Sequence, residues 1–169
     1  MRKLGISRFG SRFDKGKKLT VSHEDWDYIR AVLTTYETTD ETFEEFHAMD
    51  SQDKLAIKDQ GYLVGGIFNP PFRKTFNLIE RDVLLLDADH MDFLDIAEIK
   101  ETYGAYEYVV HSSHSHSEES PRLRIAFPLT RSVSPEEYEP LARLVANMLE
   151  MDMFDDTTYQ FSRIMFLPV

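Results

Sequence analysis

Two aspartates, Asp87 and Asp89, directly follow the apolar run 83–86. A short continuous apolar run predicts a strand that is buried on both faces. Side chains two positions apart on a strand point to the same side, so both carboxylates project together where this strand ends. Carboxylates held that close repel each other, and a divalent cation with oxygen ligands, Mg²⁺ or Mn²⁺, relieves the repulsion. The pair therefore indicates a metal site for phosphoryl transfer, and the alternative is that the aspartates only end a strand and cap the next helix.

A second polar group lies in the segment 111–116, which consists of three histidines and three serines. The nearby Arg122 and Arg124 share one face of a predicted strand over 122–127. Histidine and arginine donors suit the non-bridging oxygens of phosphates, so this region is predicted to be a phosphate-facing turn. His111 is more simply explained as a structural or solvated residue.

A further carboxylate near the first pair would complete a metal site, and Asp155 and Asp156 are the candidates. Their spacing alone is equally compatible with an acidic turn after a helix. Additional local positive charge comes from Arg163 and, in a loop with two prolines, from Arg73 and Lys74.

The elements that must position these residues follow from hydrophobic spacing and capping signals. A strand and a basic loop are expected in 1–20, with further strands over 61–68 (interrupted by a glycine pair), 83–86, 106–110, 122–127 and 163–167. Helices are expected from the N-cap Ser22, over 92–102, and from the capping box at Ser134 to about 150. Trp26 is expected on the buried face of the first helix, and the last helix has an apolar stripe of Tyr138, Leu141, Leu144, Val145 and Met148. This order predicts an α+β domain with a mixed, largely antiparallel central sheet flanked by helices.

The composition limits the class of protein. The chain has 169 residues, 42% of them hydrophobic, which suits one globular domain. It has no cysteine, which excludes disulfides and thiolate metal sites and fits a reducing cytoplasm. No apolar run approaches the ~20 residues of a membrane-spanning helix. The net charge of −11 counts against sequence-independent binding of nucleic acid, although residues 1–20 hold seven basic residues and one acidic residue.

Taken in order, the three polar groups resemble the motifs Asp-x-Asp/Glu, Ser-x-His and hydrophobic-Asp of the primase–polymerase domain of the archaeo-eukaryotic primase superfamily, in its phage and plasmid replication-protein branch. The segments HSSHSHSEESPRLRIAFPL and FDDTTYQFSRIMFLP carry the likeness, which covers about 61–168. The resemblance implies one catalytic domain over 1–169, with a small N-terminal α/β portion (1–60) and a motif-bearing, RRM-like core (61–169). Such a domain often precedes a helicase, so the chain could be part of a longer protein.

The resemblance also implies roles for individual residues. It assigns two Mg²⁺ or Mn²⁺ ions to the catalytic carboxylates of Asp87, Asp89 and Asp155. It implies that the motif histidine contacts the phosphates of the incoming nucleotide. Ser112-Ser113-His114 fits the motif literally, whereas alignment on the following Pro-Arg-x-Arg favours His116. The further phosphate-binding candidates are Arg73, Lys74, Arg122, Arg124 and Arg163.

The implied function is template-directed nucleotidyl transfer in phage or plasmid DNA replication, with in-line attack of a 3′-hydroxyl on the α-phosphate. Single-stranded DNA template, nucleoside triphosphates and a helicase domain or subunit are the expected partners, in the cytoplasm of a bacterial or phage-infected cell and without a membrane. One alternative is a nicking replication initiator, with His114 and His116 on a metal and a tyrosine nucleophile such as Tyr138. The other is a catalytically inactive nucleic-acid-binding module of a replicative helicase.

Overall fold

Two four-stranded sheets form the frame of the computed structural model, which describes residues 2–14, 18–89, 91 and 96–169. The strands are β1 Leu4–Phe9, β2 Thr20–Glu24, β3 Tyr62–Val64, β4 Gly66–Phe68, β5 Leu78–Ala88, β6 Val109–Ser112, β7 Leu123–Val133 and β8 Met165–Phe166. The helices are α1 Trp26–Thr34, α2 Phe43–Ala48, α3 Ser51–Lys58, α4 Ile96–Tyr103 and α5 Pro135–Ala146. The first sheet has the order β2-β1-β3-β8 and the second β4-β5-β7-β6. All their strand pairs are antiparallel, which confirms the predicted α+β class.

The chain passes from the first sheet to the second at Gly65, between β3 and β4. The carbonyl of Gly65 accepts hydrogen bonds from the backbone N–H groups of Asp82 (2.7 Å) and Val83 (3.0 Å). A Cβ atom at this position would lie 2.5 Å from the Val83 carbonyl oxygen, so only glycine permits this approach of two backbones. The glycine pair in the predicted strand 61–68 therefore marks the point where one strand ends and another begins.

The strand β5 lies between two hydrophobic cores. Leu84 and Leu86 pack into the core that contains α4 and α5, whereas Val83 and Leu85 pack into the core that contains β1 and α1. Burial on both faces is what the continuous apolar run predicted, and the strand ends where Asp87 begins the acidic motif.

The N-terminal portion does not form a sheet of its own, because β1 pairs with β3, which pairs in turn with β8. The prediction that Ser22 is the N-cap of the first helix is wrong. Ser22 lies in β2, where it pairs with Ile6 of β1. The N-cap of α1 is Asp25. Hydrogen bonds to the buried strand β1 extend β2 as far as Glu24, through residues for which the sequence predicted the start of a helix. Trp26 is buried in the core, as predicted.

The helix α5 begins with the predicted capping box of Ser134 and Glu137, with Pro135 at its first position. Its buried face runs along Tyr138, Ala142 and Ala146, spaced four residues apart. Leu144 lies off this line and is 65% exposed, so its place in the predicted apolar stripe is wrong. The helix ends at Ala146 rather than near 150.

The remaining boundaries differ modestly from expectation. The predicted helix over 92–102 is seen as Ile96–Tyr103, and 92–95 lie outside the described residues. The strand predicted over 106–110 begins later, at Val109, and the strand predicted over 122–127 extends to Val133. The strand predicted over 163–167 covers only Met165–Phe166. Within the described part of the chain, no helix has the length and apolarity needed to cross a membrane.

Candidate active site

Hydrogen bonds join the end of β5 to a distant acidic turn. The backbone N–H of Asp87 donates to the hydroxyl of Thr158 (2.9 Å), and the backbone N–H of Asp155 donates to the carbonyl of Asp87 (3.0 Å). The Thr158 hydroxyl also donates to the carbonyl of Leu85 (3.2 Å). The turn that begins at Asp155 is thereby fixed against the strand that carries the Asp-x-Asp motif.

Two of the predicted metal ligands converge on one guanidinium group. The Nη2 atom of Arg163 lies 3.0 Å from Oδ2 of Asp155 and 3.6 Å from Oδ2 of Asp87. On its other side, Asp87 accepts a 2.9 Å hydrogen bond from Nε of Arg124. Asp156, the alternative to Asp155, is exposed. Of these two adjacent aspartates, Asp155 is therefore the one seen to join Asp87.

The second carboxylate of the Asp-x-Asp motif lies at the rim of this group. Asp89 is partly exposed, and its Oδ1 lies 3.8 Å from Nη1 of Arg122. Among residues 2–14, 18–89, 91 and 96–169, no set of three or more histidine or acidic side chains is close enough to hold a metal ion. The role of Asp89 as a metal ligand stays a prediction.

The donor chemistry of Asp87 and Asp155 suits a hard divalent cation, because both contribute carboxylate oxygens, the ligands that Mg²⁺ and Mn²⁺ prefer. A positively charged nitrogen of Arg163 already stands between the two carboxylates. A metal ion at that point would have to compete with Arg163 for the same oxygens.

Two histidines from the Ser/His segment have different surroundings. The Nδ1 atom of His116 accepts a hydrogen bond from the backbone N–H of Arg122 (3.1 Å), which in a neutral imidazole places the proton on Nε2. His114 instead packs its ring 4.2 Å from that of Phe46, and its Nε2 lies 3.3 Å from a carboxylate oxygen of Glu41. His114 thus anchors the loop to the α2 region, whereas His116 lies beside the arginine that neighbours Asp89.

His111 has the structural surroundings that the sequence indicated. It lies opposite Arg124 in the pairing of β6 with β7, and its Nδ1 contacts the carbonyl of Ser112 at 2.9 Å. Burial lowers the pKa of His111 to about 4, and the charge of Arg124 contributes further. The ring is therefore uncharged near neutral pH and adds no cation to the site.

Two cations from α3 join the site without having been predicted. Lys58 donates to the hydroxyl of Ser115 (2.5 Å), and burial lowers its pKa, helped by the charges of Arg124 and Arg122. Beside it lies a cleft of about 440 Å³, lined by Phe46, His47, Lys54, Ser115, Ser117, Ser120 and Arg122. Lysines and serine hydroxyls on a concave surface suit an anion with several oxygens. Lys54 and Lys58 are four residues apart and so lie on one face of a helix. This spacing was the sequence signal by which the pair could have been found.

Arg73 and Lys74, predicted to bind phosphate at this site, lie elsewhere in the described structure. Arg73 donates to the carbonyl of Arg12 (2.9 Å), and the Nζ atom of Lys74 lies 5.6 Å from the ring centroid of Phe76. Both belong to the loop that joins β4 and β5, which packs against the loop after β1. The position of a proline-containing loop depends on these tertiary contacts, which strand patterns do not encode.

A fully buried arginine fixes the backbone of Arg163. The guanidinium of Arg81 donates to the carbonyls of Phe161 (2.8 Å) and Arg163 (3.2 Å) and to the hydroxyl of Tyr138 (2.9 Å). Tyr138 is itself completely buried. Its hydroxyl cannot reach a phosphodiester, so the structure does not support Tyr138 as the nucleophile of a nicking enzyme.

The chain matches the family model of the VapE N-terminal domain over residues 2–169 and belongs to that family. The cyanophage S-2L primase–polymerase (PrimPol), AEP domain, is similar in structure, with a TM-score of 0.45 and 12% identity over 98% of this chain and 72% of that one. The polymerase domain of Mycobacterium tuberculosis ligase D, in complex with DNA, is also similar in structure. Its TM-score is 0.43 and its identity 16%, over 99% of this chain and 68% of that one. No curated protein matches the sequence.

Proposed function

We propose that the chain is a DNA primase–polymerase, a template-directed nucleotidyltransferase that acts in phage or plasmid replication. The observation that carries the proposal is the convergence of Asp87 and Asp155, from distant parts of the chain, on one cationic group at the end of a buried strand. The cleft of Lys54 and its serine hydroxyls opens beside the arginine that neighbours Asp89. A carboxylate centre next to an anion-binding cleft suits a nucleoside triphosphate.

The chain's own cations supply the phosphate contacts. Lys58 and Arg122 are close enough for their charges to interact, and the side chain of Arg122 is partly exposed. His116 presents an Nε2–H donor because its other ring nitrogen is an acceptor. Together they would bind and orient the triphosphate, which compensates locally for the net charge of −11.

Mg²⁺ or Mn²⁺ held by Asp87 and Asp155, with Asp89 completing the set, would stabilise the charge that develops during phosphoryl transfer. Arg163 would then leave the two carboxylates and become available to a phosphate oxygen. Arg124 would keep Asp87 oriented through its hydrogen bond to the other carboxylate oxygen.

The proposal is tested by incubating the protein with a primed single-stranded template, each nucleotide set, and Mg²⁺ or Mn²⁺, with product length measured on a gel. Products longer than the primer are expected only with template and metal present. Absence of any extension under every combination, from protein that binds the triphosphate, would contradict it.

Replacing His116 by alanine should lower the affinity for the incoming nucleotide about 10- to 100-fold, because a hydrogen-bond donor to a charged phosphate is lost. Metal affinity should stay nearly unchanged. Calorimetric titration with Mn²⁺ and with nucleotide measures both. His23→Ala, at an exposed position on β2, is the matched control. If His116→Ala weakens metal binding as severely as Asp87→Ala, the histidine is a metal ligand and a nicking-type imidazole site is the better assignment.

One observation favours a second function. Each carboxylate of the site lies next to an arginine: Asp87 contacts Arg124 and Arg163, Asp155 contacts Arg163, and Asp89 faces Arg122. The site is thus charge-balanced without an added cation, as a catalytically inactive binding module of a replicative helicase would be. Nucleotide or DNA binding without incorporation, even with Mn²⁺, is the result expected for that function.

A further inference from the structure

Exposed aromatic rings with a cation beside each lie on two loops away from the carboxylates. Phe13, in the loop after β1, is 66% exposed, and the guanidinium carbon of Arg12 lies 5.4 Å from its ring centroid. Phe76, in the loop between β4 and β5, is 80% exposed, with Nζ of Lys74 at 5.6 Å. We call Arg12, Phe13, Arg73, Lys74 and Phe76 the cation–aromatic patch.

Hydrogen bonds hold the two loops together. Besides the bond from Arg73 to the carbonyl of Arg12, the backbone N–H of Leu19 donates to the carbonyl of Pro71 (2.8 Å). Lys18 and Phe72 pair as an isolated antiparallel bridge. The bridge and the Arg73 bond therefore place the two rings and their cations on neighbouring loops.

A row of ring contacts connects this patch with the acidic site. The guanidinium of Arg73 lies 5.2 Å from the ring of Phe9, which stacks on Tyr62 at 5.0 Å and 8°. Tyr62 contacts Phe166 at 4.5 Å, and Arg124 lies 5.6 Å from Phe166. Arg124 in turn binds the carboxylate at the end of β5. This row runs through the interior of the protein, because Tyr62 is fully buried.

The chemistry of the patch suits one kind of partner. Unstacked bases pack on exposed aromatic rings, while lysine and arginine bind the phosphates that link them. A duplex hides its base faces within the stack and cannot place them on these rings. Asp59 accepts hydrogen bonds from the Ser11 hydroxyl and the backbone N–H of Arg12, so it orders this loop without contacting the two rings.

We infer that the cation–aromatic patch binds single-stranded nucleic acid. The inference rests on the proposed function insofar as that strand serves as the template. It adds a place for the strand, whereas the sequence suggested only that Arg73 and Lys74 would contact phosphates.

The test measures fluorescence anisotropy of a labelled oligo-dT strand with the whole chain. Phe13→Ala and Phe76→Ala should each weaken binding about 5- to 50-fold, since base–aromatic stacking is lost. Arg73→Gln combined with Lys74→Gln should reduce the slope of log K against log salt by about 1.4, which corresponds to two single-strand phosphate contacts. Tyr36→Ala, at a ring that is 68% exposed, and Lys100→Gln on α4 are the matched controls, and circular dichroism checks that each variant is folded.

The outcomes separate this inference from the proposed function. Wild-type protein that binds oligo-dT through the patch but never extends a primer supports the inference and contradicts the enzyme. Primer extension that is unchanged by Phe13→Ala and Phe76→Ala supports the enzyme and overturns the inference. Equal losses for the controls, equal affinity for duplex DNA, or no binding of oligo-dT by the folded wild-type chain would also overturn it.

Discussion

Asp87→Asn is expected to reduce nucleotide transfer by about three orders of magnitude. The amide keeps an oxygen that can accept the hydrogen bond from Arg124, so the fold should persist, but the charge that holds the cation is gone. Losing several kcal/mol of charge stabilisation in phosphoryl transfer corresponds to a rate loss of roughly this size. Single-turnover extension of a labelled primer at saturating nucleotide measures it. Nucleotide affinity without metal should be unchanged or higher, because a carboxylate that repels the triphosphate has been removed.

The neighbouring pair Asp155 and Asp156 provides the matched comparison for Asp87→Asn. Asp155→Asn should also be severely impaired, since Asp155 shares the guanidinium of Arg163 with Asp87. The exposed neighbour Asp156 should tolerate the same change with less than about a threefold effect. A severe loss in Asp156→Asn together with normal activity in Asp155→Asn would show that the third carboxylate is wrongly assigned.

Arg81→Lys is expected to lower the free energy of unfolding by about 3–5 kcal/mol. The planar guanidinium satisfies three carbonyls and one hydroxyl at once, and a lysine ammonium cannot reach the same set in a closed core. Buried acceptors that lose their donor remain desolvated, which is costly. Burial already lowers the pKa of Arg81, so the shorter, more readily neutralised lysine should lose its proton there. Urea unfolding followed by circular dichroism measures the change.

Arg143→Lys is the matched control, because Arg143 also lies on an aromatic ring, that of Tyr159 at 4.3 Å, but pairs with Glu139 in contact with solvent. The free energy of unfolding of Arg143→Lys should fall by less than about 1 kcal/mol. An Arg81→Lys variant that unfolds at the same urea concentration as the control would show that the buried guanidinium does not hold the segment of Arg163 in place.

The sequence predicted those parts of the site that follow from local pattern. The apolar run before Asp87 identified a doubly buried strand, and the capping box at Ser134 identified the start of α5. The hydrogen bonds that bring Asp155 to this strand join residues far apart in the chain, so no local spacing specifies them. Arg81 was missed for the same reason, because its partners Phe161, Arg163 and Tyr138 lie on two other segments of the chain.

Where local signals competed with tertiary contacts, the contacts determined the structure. Ser22 has the residue type of an N-cap, yet its segment gains more hydrogen bonds by pairing with β1. Arg73 has the charge to bind a phosphate, but its loop packs against the loop after β1 and away from the carboxylates. Residue type therefore predicted the chemistry that was possible, and long-range packing decided where it could occur.

The most direct measurement is of single-nucleotide addition to a primer whose template differs only in the first unpaired base. The proposed function predicts that the added nucleotide changes with that base to its Watson–Crick complement, and that Asp87→Asn adds none. Addition of the same nucleotide whatever the templating base, or tight triphosphate binding by wild-type protein with no addition in Mg²⁺ or Mn²⁺, would contradict template-directed transfer.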